Sequence, residues 1–139
     1  MRFVDSNVFV HALLKPRRSL ERHEAEIKEG AKKILTRIEE GEEAVTTVVH
    51  VSEVANILES RMPPEGSWRV LSALASMRGL TLAGVTGDAY RAAIQASNIL
   101  GVGVNDSLAY AAMMDGGVRE IYSFDRHFDG LPEIRRVTE

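Results

Sequence analysis

The chain of 139 residues contains no cysteine, few aromatic residues and no long apolar run. The absence of cysteine excludes disulfides, thiolate metal sites and cysteine nucleophiles. No run approaches the ~20 apolar residues of a membrane-spanning helix, and we expect no signal peptide, so we predict a cytoplasmic protein. The motifs G-x-x-x-x-G-K-[ST] and G-x-G-x-x-G are also missing, which removes support for nucleotide-cofactor functions.

The chain also has no excess of positive charge. The formal net charge is -3, which argues against a surface coated with basic residues for non-specific nucleic-acid binding. A basic patch on one face remains compatible with that charge. Hydrophobic residues make up 45% of the chain, which is enough for one globular domain with a real core. We therefore expect a single domain over residues 1–139.

Short β-branched or apolar segments alternate with longer amphipathic segments along the chain. The predicted strands lie near 2–4, 44–49, 80–83 and 120–124, with an edge strand within 131–137. The predicted helices cover about 6–14, 20–40, 51–58, 67–79, 86–100 and 105–115, and their predicted caps are Ser6 or Asn7, Ser19, Ser67 and Thr86. This alternation predicts a single-domain, three-layer α/β/α fold around a central, mainly parallel sheet.

Four acidic residues follow predicted strands or lie near predicted helix starts: Asp5, Glu53, Asp106 and Asp125. Because the carboxyl ends of parallel strands meet at one edge of a sheet, these side chains are predicted to converge. Crowded carboxylates repel one another and persist only when they are protonated or balanced by cations. Oxygen ligands suit Mg²⁺ or Mn²⁺, and such a site supports attack of water on a phosphodiester.

Each of these acidic residues also has an ordinary structural explanation. Asp5 and Asp106 can act as helix N-caps. Glu53 can be a solvated residue in a first helical turn, and Asp125 can belong to a turn. The residue pattern by itself therefore leaves a metal site and four separate structural roles equally open.

The segments that contain the four acidic residues resemble motifs of a known family. They are V-D-S-N at 4–7, S-E-V at 52–54, N-D-S-L-A at 105–109 and S-F-D-R-H-F at 123–128. Together they resemble the PIN-domain family and, more narrowly, the VapC-type toxins of toxin–antitoxin pairs. Each motif is short enough to occur by chance, so the resemblance depends on all four in the family's order. It implies a single PIN-like nuclease domain over 1–139.

This resemblance implies an endoribonuclease that depends on Mg²⁺ or Mn²⁺ and leaves 5′-phosphate and 3′-hydroxyl ends. The four carboxylates would hold the metal, while Asn7 and Ser123 would orient carboxylates or waters beside them. Family members commonly form homodimers and are inhibited by an antitoxin protein, although some process RNA and are not toxins. Asp129, four residues after the last motif acid, is interpreted as a turn or surface residue.

Basic residues and histidines add two weaker indications. Lys15, Arg17 and Arg18 form the densest basic cluster, which either binds RNA phosphates near the metal site or is a solvated loop. Four histidines, at 11, 23, 50 and 127, permit a metal-free ribonuclease that uses two imidazoles, but none has a partner at metal-ligand spacing. Of these, His127 is the best placed to touch a phosphate or a water.

Two other functions are compatible with the same fold. A non-catalytic module that binds RNA or protein would be favoured by the loss of one motif acid, and none is lost. A phosphatase that acts through a phospho-aspartate would need D-x-D after the first strand, where this chain has Asn7. We therefore expect a metal-dependent endoribonuclease first and a binding module second.

Overall fold

The computed structural model describes residues 1–139, and strands alternate with helices through most of the chain. The strands are β1 (Arg2–Val4), β2 (Ala44–Thr47), β3 (Leu80–Ala83), β4 (Glu120–Tyr122) and β5 (Arg135–Val137). The helices are α1 (Ser6–Leu13), α2 (Arg22–Glu39), α3 (Val48–Arg61), α4 (Pro64–Ala75), α5 (Gly87–Leu100) and α6 (Val104–Gly116), and a 3₁₀ turn (Arg126–Gly130) follows β4. No helix combines the length and the hydropathy that a membrane crossing requires.

The five strands form one sheet in the order β3-β2-β1-β4-β5, and every neighbouring pair is parallel. The predicted α/β fold is confirmed, and the sheet is entirely rather than mainly parallel. Since all strands point the same way, the residues that follow β1, β2 and β4 lie at one edge of the sheet. The helices α1 and α3 begin at this edge.

The sheet carries an apolar core on each face. Alternate strand residues point to opposite faces, so neighbouring positions of β1 and β4 contribute to different cores. Val4 and Tyr122 pack with buried residues of α1, α2, α3 and α4. Phe3 and Ile121 pack instead with α6 and with Phe128 of the 3₁₀ turn. This arrangement gives the three layers that the sequence predicts.

The first two helices begin with residues other than the predicted caps. The N-cap of α1 is Asp5, whose Oδ1 accepts a hydrogen bond from the Ser6 N–H at 2.8 Å, so the prediction of Ser6 or Asn7 was wrong. The N-cap of α2 is Glu21 rather than Ser19. A capping box forms there, in which the side chain of Glu24 accepts a hydrogen bond from the Glu21 N–H.

The next two helices begin earlier than predicted. The Thr47 hydroxyl accepts a hydrogen bond from the His50 N–H at 3.2 Å, and α3 therefore starts at Val48, within the predicted strand. Helix α4 starts at Pro64, because proline suits the first turn of a helix. Ser67 consequently lies inside α4 and does not cap it. The predicted cap Thr86 is confirmed, since its hydroxyl accepts from the Ala89 N–H at 3.0 Å.

Gly79 joins the turn before β3 to the end of α2 by close backbone contact. Its N–H donates to the Ile38 carbonyl at 3.0 Å, and its carbonyl accepts from the Ala44 N–H at 2.9 Å. A Cβ atom at this position would lie 2.0 Å from the Glu42 carbonyl oxygen and 2.6 Å from that of Ile38. Only a residue without a side chain fits there.

Replacing Gly79 with alanine is expected to lower the free energy of unfolding by about 1–3 kcal/mol, because the backbone atoms around the new methyl group must move apart. Denaturant unfolding measures the change. Gly84→Ala is the matched control, since a Cβ there meets no heavy atom within 4 Å and the change should stay within about 0.5 kcal/mol. Equal stability of the two variants would contradict the packing argument.

Candidate functional site

Asp5 is the buried residue from which the site is built, with 5% of its surface exposed. Its Oδ1 accepts from the Ser6 N–H at 2.8 Å, and its Oδ2 accepts from the Ser123 hydroxyl at 2.7 Å. Its own N–H donates to the Tyr122 carbonyl at 3.0 Å. Asp5 is thus both a helix cap and the contact between the ends of β1 and β4.

Asn7 and Ser123 lie beside Asp5 and are hydrogen-bonded to each other. The Asn7 amide donates to the Ser123 hydroxyl at 3.4 Å, and its carbonyl oxygen accepts from the Phe124 N–H at 3.3 Å. The Ser123 hydroxyl also accepts from the Asp125 N–H at 3.0 Å. These hydrogen bonds fix the position of the Asp125 backbone relative to the Asp5 carboxylate.

Glu53 reaches the same site from α3. The Ser6 hydroxyl donates to Glu53 Oε1 at 3.3 Å and lies 3.4 Å from Asp5 Oδ1, so one hydroxyl contacts both carboxylates. Because α3 begins at Val48, Glu53 stands in the second turn. The explanation of Glu53 as a first-turn residue near the helix N-terminus is therefore wrong.

Asp106, Asp125 and His127 form a cluster at the opposite side of the site. Each offers one ligand atom, and these three atoms lie within 4.8 Å of one another. Asp125 caps the 3₁₀ turn and holds His127 by two contacts, from its Oδ1 to the His127 Nδ1 at 2.8 Å and to the His127 N–H at 2.9 Å. Asp106 follows the actual N-cap Gly103 in α6, so its interpretation as an N-cap was wrong.

The electrostatics show that the four predicted carboxylates interact. Burial, followed by the negative charges of Asp106 and Glu53, raises the pKa of Asp5 to about 6. The hydrogen bonds from Ser123 and Ser6 act in the opposite direction and lower this pKa. Burial and the charge of Asp125 likewise raise the pKa of Asp106 above its ordinary value, with a smaller contribution from Glu53. A cation among these groups would relieve both the repulsion and the cost of burial.

His50 holds the start of α6 against the start of α3. The Thr47 hydroxyl lies 2.7 Å from His50 Nδ1, and His50 Nε2 lies 3.1 Å from the Asn105 carbonyl oxygen. Burial lowers the pKa of His50 to about 4, so a neutral ring donates through Nε2 to Asn105. The Tyr90 hydroxyl donates to the Asn105 side chain at 2.9 Å. Since Asn105 precedes Asp106, these contacts position that carboxylate.

The donor set fits a divalent ion. Asp106 and Asp125 each offer an oxygen atom of the kind that Mg²⁺ and Mn²⁺ prefer, and His127 adds one nitrogen, whereas Asp5 and Glu53 are not part of this close group. Asp129 lies outside this set, because both of its oxygens accept from the Arg136 guanidinium, at 2.8 and 3.1 Å. Of the predicted basic cluster, Arg18 is paired with Glu24 at 2.9 Å, at the start of α2.

Sequence reasoning missed the supporting role of His50 and undervalued His127. The position of His127 two residues after Asp125 was the available signal, since a turn capped by an Asp brings those two side chains together. Nothing in the sequence around His50 indicates its contact with Asn105. That contact joins residues 55 positions apart and depends on how α3 and α6 lie at the sheet edge.

Asp5→Asn is expected to raise the free energy of unfolding by about 1–3 kcal/mol at pH 7 in the presence of a chelator. The ionised carboxylate is destabilised in the folded state, since its pKa rises from 3.8 to about 6 and each unit corresponds to about 1.4 kcal/mol. Asparagine keeps the N-cap through its one carbonyl oxygen, and its NH₂ group replaces the oxygen that accepts from Ser123, so that the Ser123 hydroxyl must accept instead of donate. Denaturant unfolding at a series of pH values measures the effect.

The sign of this effect fixes its pH dependence. Because the pKa of Asp5 is higher in the folded than in the unfolded protein, the stability of wild type falls as pH increases from about 4 to 6. Below pH 3.8 the carboxyl is protonated in both the folded and the unfolded protein. The advantage of Asp5→Asn should therefore vanish there. Asp115→Asn, on the exposed end of α6, is the control and should match wild type throughout. A gain that does not change with pH would contradict this explanation.

Comparisons with known proteins agree with the fold. A family model described as PIN domain matches residues 2–134. A structure of VapC20 from Mycobacterium tuberculosis, described as a sarcin-ricin loop cleaving toxin, has a TM-score of 0.72 and 18% identity, covering 96% of this chain and 97% of that one. VapBC2 from Rickettsia felis, solved with a DNA fragment from its promoter, has a TM-score of 0.68 and 13% identity, covering 98% and 96%.

No curated protein matches the chain. At 18% and 13% identity the two solved structures show a shared fold and nothing finer. The family model covers nearly every residue, including all four motif segments. The chain therefore belongs to the PIN-domain family.

Proposed function

We propose that this protein is a metal-dependent endoribonuclease of the VapC type, which hydrolyses RNA phosphodiester bonds at the carboxylate site. The observation that carries the proposal is the cluster of Asp106, Asp125 and His127, whose ligand atoms lie within 4.8 Å. Electrostatic coupling joins this cluster to Asp5 and Glu53. Membership of the PIN-domain family supports the same activity, as does the likeness to a structure described as a cleaving toxin.

The cofactor we propose is Mg²⁺ or Mn²⁺, held by Asp5, Glu53, Asp106 and Asp125, with His127 beside them. Such an ion lowers the pKa of an attacking water and neutralises the charge that develops on the phosphate. The carboxylates alone would repel an RNA phosphate, so substrate binding at this site requires a cation.

The residues of the chain supply the positions of the reacting groups. Asp5 is held by Ser6 and Ser123, and its burial keeps one carboxylate orientation. The Ser6 hydroxyl keeps Glu53 facing Asp5. The His50 contact holds the backbone next to Asp106. Fixed ligands of this kind lower the cost of arranging the site at each turnover.

Regulation and assembly are proposed from the family. We propose that the protein forms a homodimer and that an antitoxin protein inhibits it, as expected for a VapC-type toxin. The fold likeness to a VapBC2 structure supports the second proposal. An RNA-processing nuclease that is not a toxin would use the same site without such a partner.

Purified protein is expected to cleave a mixture of structured RNAs with Mg²⁺ or Mn²⁺ and to be inactive with EDTA. Asp106→Asn should lower the cleavage rate on the order of 100-fold, because a charged ligand is removed from the centre of the site. Gel analysis of the RNA, with mapping of 5′-phosphate ends, measures both effects. Asp115→Asn removes the same charge from an exposed position of the same helix and should remain fully active.

Two results would argue against this function. Cleavage that persists in EDTA, or full activity of Asp106→Asn, would remove the metal mechanism at these residues. RNA binding without cleavage under any metal would favour a non-catalytic RNA-binding module.

His127→Gln is expected to weaken Mn²⁺ binding about tenfold and Mg²⁺ binding much less, since an imidazole nitrogen suits transition ions better than Mg²⁺. Isothermal titration with each metal alone, without RNA, measures this difference. His23→Gln changes an exposed histidine at the start of α2 and should leave both affinities unchanged. Unchanged affinity for both metals would show that His127 does not contact the ion, and an equal loss for both would contradict the expected preference for Mn²⁺.

A further inference from the structure

The last strand of the sheet directs one charged side chain towards the carboxylate site. Strand β5 lies at the edge of the sheet and pairs only with β4. Its central residue, Arg136, is paired with Ile121, and its guanidinium extends to the segment that follows β4. That segment, residues 123–130, carries Asp125 and His127, and we call it the ligand loop. The Arg136 side chain is only 17% exposed, so most of its surface contacts the protein.

The three nitrogen atoms of the Arg136 guanidinium contact both ends of the ligand loop. Nε and one terminal nitrogen donate to the two carboxylate oxygens of Asp129, at 2.8 and 3.1 Å. The other terminal nitrogen donates to the Ser123 carbonyl at 3.3 Å. A planar guanidinium that forms two parallel hydrogen bonds holds a carboxylate in one relative orientation. These contacts, which we call the Arg136 clamp, join the first residue of the loop to the turn near its end.

The residues held by the Arg136 clamp enclose two groups of the metal site. The Ser123 hydroxyl accepts from the Asp125 N–H at 3.0 Å, and the Asp125 carboxylate accepts from the His127 N–H at 2.9 Å. Phe128, which is buried in the core, anchors the same segment from its apolar side. The side chains of Asp125 and His127 are 30% and 71% exposed, so packing alone does not fix them. Their positions depend on how the backbone of the loop is held.

A contribution to overall stability is a weak explanation for the Arg136 clamp. The Asp129 side chain is half exposed, and ion pairs at such positions contribute little to the free energy of unfolding. The same contacts can still change the affinity of a site on the loop, because a loop that is already ordered loses less conformational freedom when a ligand binds. Residues that orient metal ligands typically change metal affinity by about 10-fold to 100-fold.

The charge of Arg136, taken alone, has the opposite effect on a bound cation. The hydrogen bond with Asp129 raises the pKa of Arg136 above its ordinary value, and the charge of Asp125 adds to this effect. Arg136 is therefore close enough to Asp125 for their charges to interact, and a positive charge at that distance repels a metal ion. Repulsion and positioning thus predict opposite signs for the removal of Arg136.

We propose that the Arg136 clamp positions Asp125 and His127 to bind the divalent ion, which makes Arg136 and Asp129 positioning residues of the site if the proposed function is correct. Arg136 favours metal binding although it is a cation, because it orders the ligand loop. Asp129 acts through Arg136 and does not bind the metal itself.

Titration of Mn²⁺ into the metal-free protein, followed by calorimetry without RNA, tests this proposal. Asp129→Asn and Arg136→Gln should each weaken Mn²⁺ binding about tenfold. The double variant should lose no more affinity than either single variant, because both substitutions remove the same clamp. Arg136→Lys keeps the positive charge but cannot contact Asp129 and Ser123 together, so it should weaken binding as Arg136→Gln does.

Hydrogen exchange of the same metal-free proteins, measured by mass spectrometry, shows where the structure changes. Peptides from the ligand loop should exchange faster in Asp129→Asn and in Arg136→Gln than in wild type, whereas peptides from α2 and α3 should be unchanged. The unfolding temperature should stay within about 5 °C of wild type, since the ion pair is partly exposed. A local change of this kind separates the positioning of the loop from a loss of fold.

Glu133→Gln is the matched control for the loss of charge. It removes a negative charge from another ion pair with an arginine in the segment before β5, where Glu133 lies 3.4 Å from Arg119. Neither residue of that pair forms a side-chain hydrogen bond with the ligand loop. Mn²⁺ affinity and loop exchange should therefore stay within about twofold of wild type.

Three results would overturn the proposal. Tighter Mn²⁺ binding by Arg136→Gln would show that only its charge acts on the site. Weaker binding by Asp129→Asn with unchanged binding by Arg136→Gln would identify Asp129 as a direct metal ligand. Unchanged exchange of the ligand loop in both variants would show that the loop is ordered without the clamp.

The proposed nuclease can fail separately from the Arg136 clamp. A wild-type protein that binds Mn²⁺ and depends on the clamp to do so, but cleaves no RNA under any metal, would contradict catalysis and leave this proposal standing. RNA cleavage by wild type, together with full Mn²⁺ affinity in both clamp variants, would support the nuclease and contradict the clamp.

Discussion

The hydrogen bond from the Ser123 hydroxyl to Asp5 joins the ends of two neighbouring strands, β1 and β4, at the edge where the site forms. The same hydroxyl accepts from the Asp125 backbone, and Asp5 also caps α1. Asp5 and Ser123 therefore connect a helix start, two strand ends and the backbone of Asp125. Few other contacts in the structure connect the fold to the site so directly.

The site concentrates negative charge at a cost to the folded state. Burial and the neighbouring acids raise the pKa of Asp5 and of Asp106, so the metal-free protein would be more stable without part of this charge. Binding of a cation would reverse that balance, since it favours the ionised carboxylates. The hydrogen bonds of Ser6, Ser123 and His50 hold Glu53, Asp5 and the backbone next to Asp106 in place.

The sequence determined the parallel α/β fold and the edge that carries the four acids, because residue periodicity and the order of strands and helices are local properties of the chain. It did not determine several helix starts. Asp5 and Glu21 cap α1 and α2 in place of the predicted residues, and α3 and α4 begin earlier than predicted, because neighbouring residues compete as caps. Only the tertiary structure decided that His50 reaches Asn105. That contact joins residues 55 positions apart, and no local pattern records which helix ends will meet.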